Sequence, residues 1–168
     1  SEKKKHIPRF PKRIGIITSS EGAALRDIIQ VLNRRAPHVS CLVYSVPVQG
    51  ESAGDEISRA IKIMNEYGTI DTLILGRGGG SLKDLWCFND EKVVRSIHAS
   101  KIPIISAIGH ETDITLVDFV ADYRAPTPSA AAEIVAADRS EILQFLDNLD
   151  EKLQISVEQK IHGYHGEM

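Results

Sequence analysis

The sequence is poor in cysteine and in aromatic residues. Its 168 residues include two cysteines, Cys41 and Cys87, and only 5% are aromatic. Two cysteines in these positions have neither the number nor the spacing of a disulfide framework or a zinc site. We therefore expect both to be reduced thiols that pack in the interior.

Long apolar runs are absent as well. No stretch approaches the ~20 consecutive apolar residues of a membrane-spanning helix, and the N-terminal segment lacks the apolar core of a signal peptide. Hydrophobic residues still make up 42% of the chain. These properties predict a globular, cytoplasmic protein that makes no membrane contact and buries a core of ordinary size.

Positive charge is scarce beyond the N-terminal segment. Residues 1–13 hold six of the 20 Lys and Arg residues and one of the 23 Asp and Glu residues, which leaves 14 basic and 22 acidic residues, a net −8, in the rest. A nucleic-acid ligand would therefore need a local basic patch or a further domain to hold it. We interpret residues 1–12 as a basic linker.

From Arg13 onwards, apolar residues alternate between the spacing of buried strands and that of amphipathic helices. Apolar runs predict strands at residues 14–18, 39–46 and 72–75 and from Ile102 onwards. A helix is predicted after each strand, with Asn89 capping the third and Thr112 or Asp113 capping the fourth. The pattern predicts an α/β fold over residues 13–126, in which helices cover both faces of a parallel sheet of about four strands.

The C-terminal segment, residues 127–168, has a different pattern. Thr127 followed by Pro128 is typical of a helix start, and no further glycine or proline occurs before Gly163. One apolar stripe recurs every three or four residues, at Ile142, Leu146, Leu149, Leu153, Val157 and Ile161. A helix of roughly 35 residues is ~50 Å long, so we expect it to project from the domain. The alternative is a kink near Ala137 that folds the helix back over the sheet.

Two glycine-marked polar segments follow the third and fourth predicted strands. They are residues 76–81, Gly-Arg-Gly-Gly-Gly-Ser, and residues 109–113, Gly-His-Glu-Thr-Asp. Because ligands bind at the carboxyl ends of parallel strands, Arg77, His110 and Asp113 are expected on one rim of the sheet.

The first segment has more glycine than a tight turn needs. Its backbone is therefore expected to approach a phosphate closely, with Arg77 as a fixed cation. We assign substrate binding to Gly78, Gly79, Gly80 and Ser81. As a nucleotide motif the segment is weak, because no Lys-Ser/Thr pair follows as in a P-loop. A tight turn without a ligand is the alternative.

The second segment pairs a histidine with a carboxylate at a helix start. Asp113 can orient the imidazole of His110 there, or serve only as a helix cap. A metal site is the other interpretation, but the second histidine of a zinc-protease helix is missing and no third ligand has supporting spacing. We therefore expect neither a metal nor another cofactor.

Other candidates lie close to these segments in the sequence. Asp27 falls in the second turn of the first helix, near the end of the first strand, where a solvated carboxylate is the alternative. Trp86 is expected to stack a base or to pack under the loop, and Asn89 to contact substrate. A surface ion-pair group is expected at Asp118, Asp122 and Arg124.

Together these segments resemble the central domain of the exodeoxyribonuclease VII large subunit. The resemblance runs from Pro11 to about Ala136, with Lys83 standing where relatives usually carry an acid. It is carried by residues 14–19, 22–27, 48–50, 76–81, 84–86, 88–89, 109–113, 118–122 and 124–128.

The resemblance implies a DNA-repair nuclease that cuts single-stranded DNA from its ends into oligonucleotides without a divalent ion. It places functional residues at Asp27, Arg77, His110 and Asp113. It also implies an OB-fold domain before this region and a coiled coil after it, of which this chain would hold only the start. Small subunits would dock on the helix beyond residue 142, or chains would self-associate through it.

Hydrolysis without a metal needs a cation at the developing phosphorane, a base or nucleophile, and a proton for the leaving oxygen. Arg77 and the loop N–H groups suit the first role. His110 suits acid–base transfer or direct attack on phosphorus, and Asp27 would position water or Arg77. Two alternatives stay open: a non-catalytic phosphate- or nucleotide-binding module whose helix serves assembly, and a metal-dependent hydrolase.

Overall fold

The computed structural model describes residues 4–79, 82–109, 114–136 and 139–165, with side chains at all of these except 82–84, 139–141 and 161–165. The chain divides into two units, Ser1–Ala136 and Ala137–Met168. The first unit is an α/β domain, and the second is a helix. No helix among the described residues is long and apolar enough to cross a membrane.

The first unit alternates strands and helices along the chain. Its elements are β1 (Arg13–Thr18), α1 (Ala23–Arg35), β2 (Ser40–Ser45), α2 (Ala53–Tyr67), β3 (Thr72–Gly76), a 3-10 helix (Leu82–Asn89), α3 (Glu91–Ala99), β4 (Ile104–Ala107), α4 (Leu116–Val120), β5 (Tyr123–Arg124) and α5 (Pro128–Val135). The strands form one parallel sheet in the order β2-β1-β3-β4-β5.

The predicted α/β fold is confirmed, with five strands instead of about four. The additional strand, β5, has only two residues, Tyr123 and Arg124. It pairs with β4 from Ile105 to Ser106. A strand this short has no apolar run of its own, so the sequence pattern could not reveal it.

Helices cover both faces of the sheet. Residues that alternate along β1 enter different cores: Ile16 packs with α1 and α5, whereas Ile17 packs with α2 and α3. The central strand β3 is buried along its whole length. Burial on both faces explains why β1 and β3 are continuous apolar runs.

Two helix starts differ from the sequence predictions. Asp90, not Asn89, caps α3, because its carboxylate accepts a hydrogen bond from the Lys92 amide at 2.8 Å. The fourth helix begins at Leu116, with Thr115 as its cap. The predicted caps Thr112 and Asp113 lie outside the described residues.

The predicted continuous helix from Thr127 is two helices. α5 ends at Val135, and the next helix, α6, spans Arg139–His165. Ala136 leaves the helical conformation with φ −100° and ψ 86°. α5 buries small apolar side chains against the core that α1 also covers, so tertiary packing ends it where no glycine or proline marks a break. The predicted domain limits at residues 12 and 126 stay predictions.

Two carboxylates expected in a surface ion-pair group are instead buried. Asp118 is 6% exposed and accepts hydrogen bonds from the Ser106 hydroxyl and from the Thr115 amide and hydroxyl. Asp122 accepts from the amides of Ile104, at 2.8 Å, and Lys5, at 2.6 Å. Ion pairs do form, from Arg124 to Asp118 at 3.8 Å and from Lys5 to Asp122 at 3.1 Å. Most partners of the two carboxylates are nevertheless main-chain groups and hydroxyls, which a charge pattern does not reveal.

We predict that Asp118→Ala lowers the free energy of unfolding of the α/β unit by about 2–4 kcal/mol. The change leaves the Ser106 hydroxyl and the Thr115 amide buried without their acceptor, and each such group costs about 1–3 kcal/mol. Arg124→Ala is the comparison, because the Arg124 Nε lies 3.8 Å from Asp118 and a partly exposed pair contributes less than about 1 kcal/mol. Urea unfolding followed by circular dichroism measures both. Equal losses in the two variants would contradict the role given to the Asp118 hydrogen bonds.

Candidate active site

A crevice is expected where the strand order of the sheet reverses. β2 lies on one side of β1 and β3 on the other, so the chain leaves β1 toward one face and β3 toward the opposite face. Loops that diverge in this way leave a crevice at the carboxyl ends of the two strands, where ligands of open α/β sheets bind. The glycine segment begins at this point, because Gly76 is the last residue of β3.

The glycine segment lies against the first turn of α1. A Cβ atom placed on Gly78 would be 3.6 Å from the Ala24 amide nitrogen and 3.8 Å from that of Ala23. A side chain at this position would therefore stand beside the amides at the start of α1. A Cβ atom on Gly79 would meet no atom within 4 Å.

The first turn of α1 carries no negative group of its own. Its N-cap is Gly22, no side chain caps the helix, and no acidic residue occupies the first turn. The first amides of a helix have no partner within the helix and lie at the positive end of its dipole. This helix start, bordered by Gly78, has the properties of an anion site.

Arg77 is a buried cation beside this helix start. It is 5% exposed, and its backbone amide donates a hydrogen bond to the Ala107 carbonyl at 3.0 Å. Burial limits the movement of the Arg77 side chain. It also means that truncating Arg77 would remove packing, so a substitution that preserves its length is needed to test its chemistry.

Asp27 lies on α1 near the same corner. Ile28, its neighbour, packs over the end of β3, since a Cβ atom on Gly76 would be 3.5 Å from the Ile28 Cδ1. The Asp27 side chain is exposed. The structure thus brings together the helix turn that carries Asp27, Arg77 and the backbone of Gly78.

Four predicted site residues, Gly80, Ser81, His110 and Asp113, lie outside the described residues. The chain around the last two is nonetheless fixed at both ends. β4 ends at Ala107, hydrogen-bonded to Arg77, and the single carboxylate of Asp118 holds Ser106 before the segment and Thr115 after it. The segment that carries His110 therefore leaves the sheet beside Arg77.

Asp118 is a positioning residue that the sequence interpretation missed. The signal was present as Thr115-x-x-Asp118, the pattern of a capping box, in which the Asp118 carboxylate also accepts from the Thr115 amide. The predicted helix start at Thr112 or Asp113 lies before this pattern, whereas the helix begins at Leu116.

The two predicted substrate-binding residues after the glycine segment have different surroundings. Trp86 is 80% exposed, so its ring is not packed under the loop. Asn89 accepts a hydrogen bond from the Leu116 amide at 2.8 Å and thereby joins the 3-10 helix to α4. The structure gives Asn89 a structural contact, and the exposed ring of Trp86 fits a stacking surface.

Both cysteines are free thiols, as expected. Cys87 is buried, and partial burial raises the pKa of the Cys41 thiol. Among the described residues, no group of three or more His, Cys, Asp or Glu side chains is placed to hold a metal ion. His110 and Asp113 do not belong to that set of residues.

Sequence comparison identifies similar proteins along the whole chain. The family model described as "Exonuclease VII, large subunit" matches residues 1–168. The exodeoxyribonuclease 7 large subunit of Geotalea daltonii is 54% identical over 165 residues, which cover 98% of this chain and 37% of that protein. The same subunit of Haemophilus influenzae is 54% identical over 153 residues, covering 91% and 35%.

A third relative, from Thermoanaerobacter pseudethanolicus, is 60% identical over 138 residues, which cover 82% of this chain and 34% of that exodeoxyribonuclease 7 large subunit. The chain thus spans little more than a third of the length of the curated relatives it matches. With a family model that covers every residue and identities above one half, the chain belongs to the exonuclease VII large-subunit family.

Proposed function

We propose that this chain is the catalytic core of an exonuclease that hydrolyses phosphodiester bonds of single-stranded DNA, from its ends to oligonucleotides and without a metal ion. Family membership supports the nuclease assignment. The observation that carries the proposal is the start of α1 at the carboxyl ends of β1 and β3, where the amides of Ala23 and Ala24 lie beside Gly78, the residue after the buried Arg77.

This arrangement suits a phosphodiester in its transition state. Negative charge accumulates on the non-bridging oxygens during hydrolysis, and fixed donors stabilise it without reorganising. The amides of Ala23 and Ala24 supply backbone dipoles, and Arg77 supplies a full charge. These groups would take the place of the metal ions that clamp phosphate in other nucleases.

The remaining chemistry is assigned to the segment between β4 and α4. His110, oriented by Asp113, would transfer a proton or attack phosphorus directly, and Asp27 would position water or Arg77. The hydrogen bonds of Asp118 support the assignment by joining Ser106, before this segment, to Thr115, after it, while β4 ends at Ala107 against the Arg77 amide.

A single-stranded substrate agrees with the exposed indole of Trp86. An aromatic face stacks on an unpaired base of any type, whereas a base in a duplex offers only its edges to the grooves. Trp86 lies in the 3-10 helix that follows the glycine segment, so a base stacked on it would belong to a strand near the expected crevice.

Assembly is assigned to α6. Its apolar side chains at Leu146, Leu149, Leu153 and Val157 are exposed in the single chain, which is unfavourable unless a partner covers them. We propose that small subunits dock on this stripe beyond residue 142, or that chains pair through it, as the start of a coiled coil.

We predict that Arg77→Lys and His110→Ala each reduce cleavage of end-labelled single-stranded DNA by about 10²-fold or more in the full-length large subunit assembled with its small subunits. Lysine keeps the charge of Arg77 but loses its planar fork of donors. Asp113→Asn should also slow cleavage if Asp113 orients the imidazole, whereas a helix cap tolerates Asn.

This assay is run in excess chelator, with thermal unfolding as the control for folding. Unaltered enzyme that stops cleaving in chelator would assign the site to a metal-dependent hydrolase. Binding of DNA without cleavage under any condition would favour the non-catalytic module.

We predict that Gly78→Ala impairs cleavage much more than Gly79→Ala. A methyl group on Gly78 stands beside the Ala23 and Ala24 amides at ordinary contact distances, so it covers them without displacing the backbone. A methyl group on Gly79 projects into open space. Neither glycine has a positive φ, so alanine fits both positions.

The ratio kcat/KM of the two variants measures this difference, with loss of a transition-state donor expected to cost about 10²-fold. Equal activities for the two variants would mean that the amides of α1 do not contact the reacting phosphate.

We predict that Glu at Leu146, Leu149 and Leu153 abolishes association of the chain with itself and with small subunits, as measured by sedimentation velocity. Three charges on the apolar stripe cannot be buried in an interface. Gln144→Glu, Asn148→Glu and Gln159→Glu add the same charge off the stripe and should leave association intact. Unfolding of the α/β unit in the stripe variant alone would contradict the assembly role.

A further inference from the structure

A groove between α2 and α3 is basic, although the chain beyond residue 13 is acidic. Two adjoining cavities of about 620 and 300 Å³ share Lys62, Ser96 and Ala99, so they form one groove. Its lining includes five basic residues, Arg59, Lys62, Lys92, Arg95 and Lys101, and two acidic ones, Asp55 and Glu66. The chain beyond residue 13 has a net charge of −8, so this groove is the kind of local basic patch that a nucleic-acid ligand requires.

Helix geometry builds the walls and floor of the groove. Asp55, Arg59 and Lys62 lie four and three residues apart, which places them on one face of α2. Lys92 and Arg95 lie three apart on α3. The polar floor is formed where the hydroxyls of Ser58 and Ser96 are hydrogen-bonded at 2.6 Å. From the rise of a helix, walls of this length extend about 10–15 Å.

The cations in the groove are able to exchange partners. Lys92 pairs with Asp55 at 2.5 Å and Arg95 with Glu91 at 2.6 Å, both at exposed positions. The hydrogen bond and charge of Lys92 lower the pKa of Asp55, so this pair is ionised at neutral pH. Exposed pairs contribute little, and a phosphate can replace the carboxylate. Lys62 and Lys101 have no ion pair among the described residues.

One end of the groove reaches the neighbourhood of Trp86. A neighbouring depression is lined by Trp86, Gly54, Asp90 and Glu91. Gly54 directly precedes Asp55 and Glu91 directly precedes Lys92, so the depression borders the groove. The carboxylates of Glu51, Asp90 and Glu91 also line this depression, so phosphate contacts are expected in the groove beyond it. An aromatic surface that leads into a basic groove is typical of proteins that bind single-stranded nucleic acid.

We propose that the groove between α2 and α3 is a second binding site, separate from the crevice between β1 and β3, for the phosphate backbone of single-stranded DNA. The identity of the ligand rests on the proposed function. The groove would hold the strand that extends past Trp86, with Lys62 and Lys101 each contacting a phosphate.

The test measures binding of a fluorescein-labelled oligothymidylate to the 168-residue chain by anisotropy over a range of salt concentrations. Lys62→Glu with Lys101→Glu should weaken binding roughly tenfold at low salt and flatten the slope of log K against log salt by about 1.4, since each phosphate contact on a single strand contributes about 0.7. Both side chains are exposed, so the double variant should unfold at the same temperature as the unaltered chain.

Lys152→Glu with Lys160→Glu, on α6, is the control with the same change in net charge, and it should bind with unchanged affinity and slope. Equal binding by the groove variant and the control would overturn the proposal. So would absence of binding by the unaltered chain at low salt, or displacement of the strand by polyglutamate as effectively as by unlabelled oligothymidylate.

The labelled oligothymidylate is also incubated with the assembled full-length enzyme, and the products are run on a denaturing gel. Failure of the assembled full-length enzyme to cut the strand counts against the proposed function. Failure of the groove variant to differ in binding counts against the groove alone.

Discussion

The reversal of strand order between β1 and β3 is the constraint on which the site depends. A chain that leaves adjacent parallel strands toward opposite faces opens a crevice at their carboxyl ends. α1 begins at one side of that crevice, and the glycine segment enters it from the other. A side chain at position 78 would occupy the space beside the helix amides, and this explains the glycine there. The backbone conformation does not require glycine, because the φ angle of Gly78 is not positive.

Two hydrogen-bonding arrangements hold the chain before and after the second loop. The Arg77 amide joins β3 to the end of β4, and the Asp118 carboxylate joins that strand end to the start of α4. A buried carboxylate is costly unless it is fully hydrogen-bonded, and Asp118 meets this condition with hydroxyl and amide donors. On the proposed function, Asp118 fixes the chain on either side of His110, and a proton-transfer group has to be positioned closely.

The sequence predicts those features that depend on local periodicity. Continuous apolar runs such as residues 72–75 have to be strands buried on both faces, and their carboxyl ends fix the rim that holds Arg77. Features set by tertiary contact are not readable in this way. The end of α5 at Val135 follows from packing against the core. The pattern Thr115-x-x-Asp118 marks a capping box, but the bond that Asp118 accepts from the Ser106 hydroxyl depends on the fold. The sequence pattern does not reveal the basic groove, because Arg59 and Lys62 lie some 30 residues from Lys92 and Arg95. The packing of α2 on α3 brings these residues together.

The charge distribution gives these local sites a common physical basis. A chain with a net negative charge repels a polyanion at long range, and attraction has to come from fixed groups that act at contact distance. Backbone amides at the start of α1 attract a phosphate without adding net charge. Burial holds the Arg77 side chain in place. On the proposed function, such a surface holds a strand at the crevice, on the ring of Trp86 and in the groove. A cut oligonucleotide too short to reach both the crevice and the groove would bind at only one of them and dissociate. The remaining strand would stay bound at both.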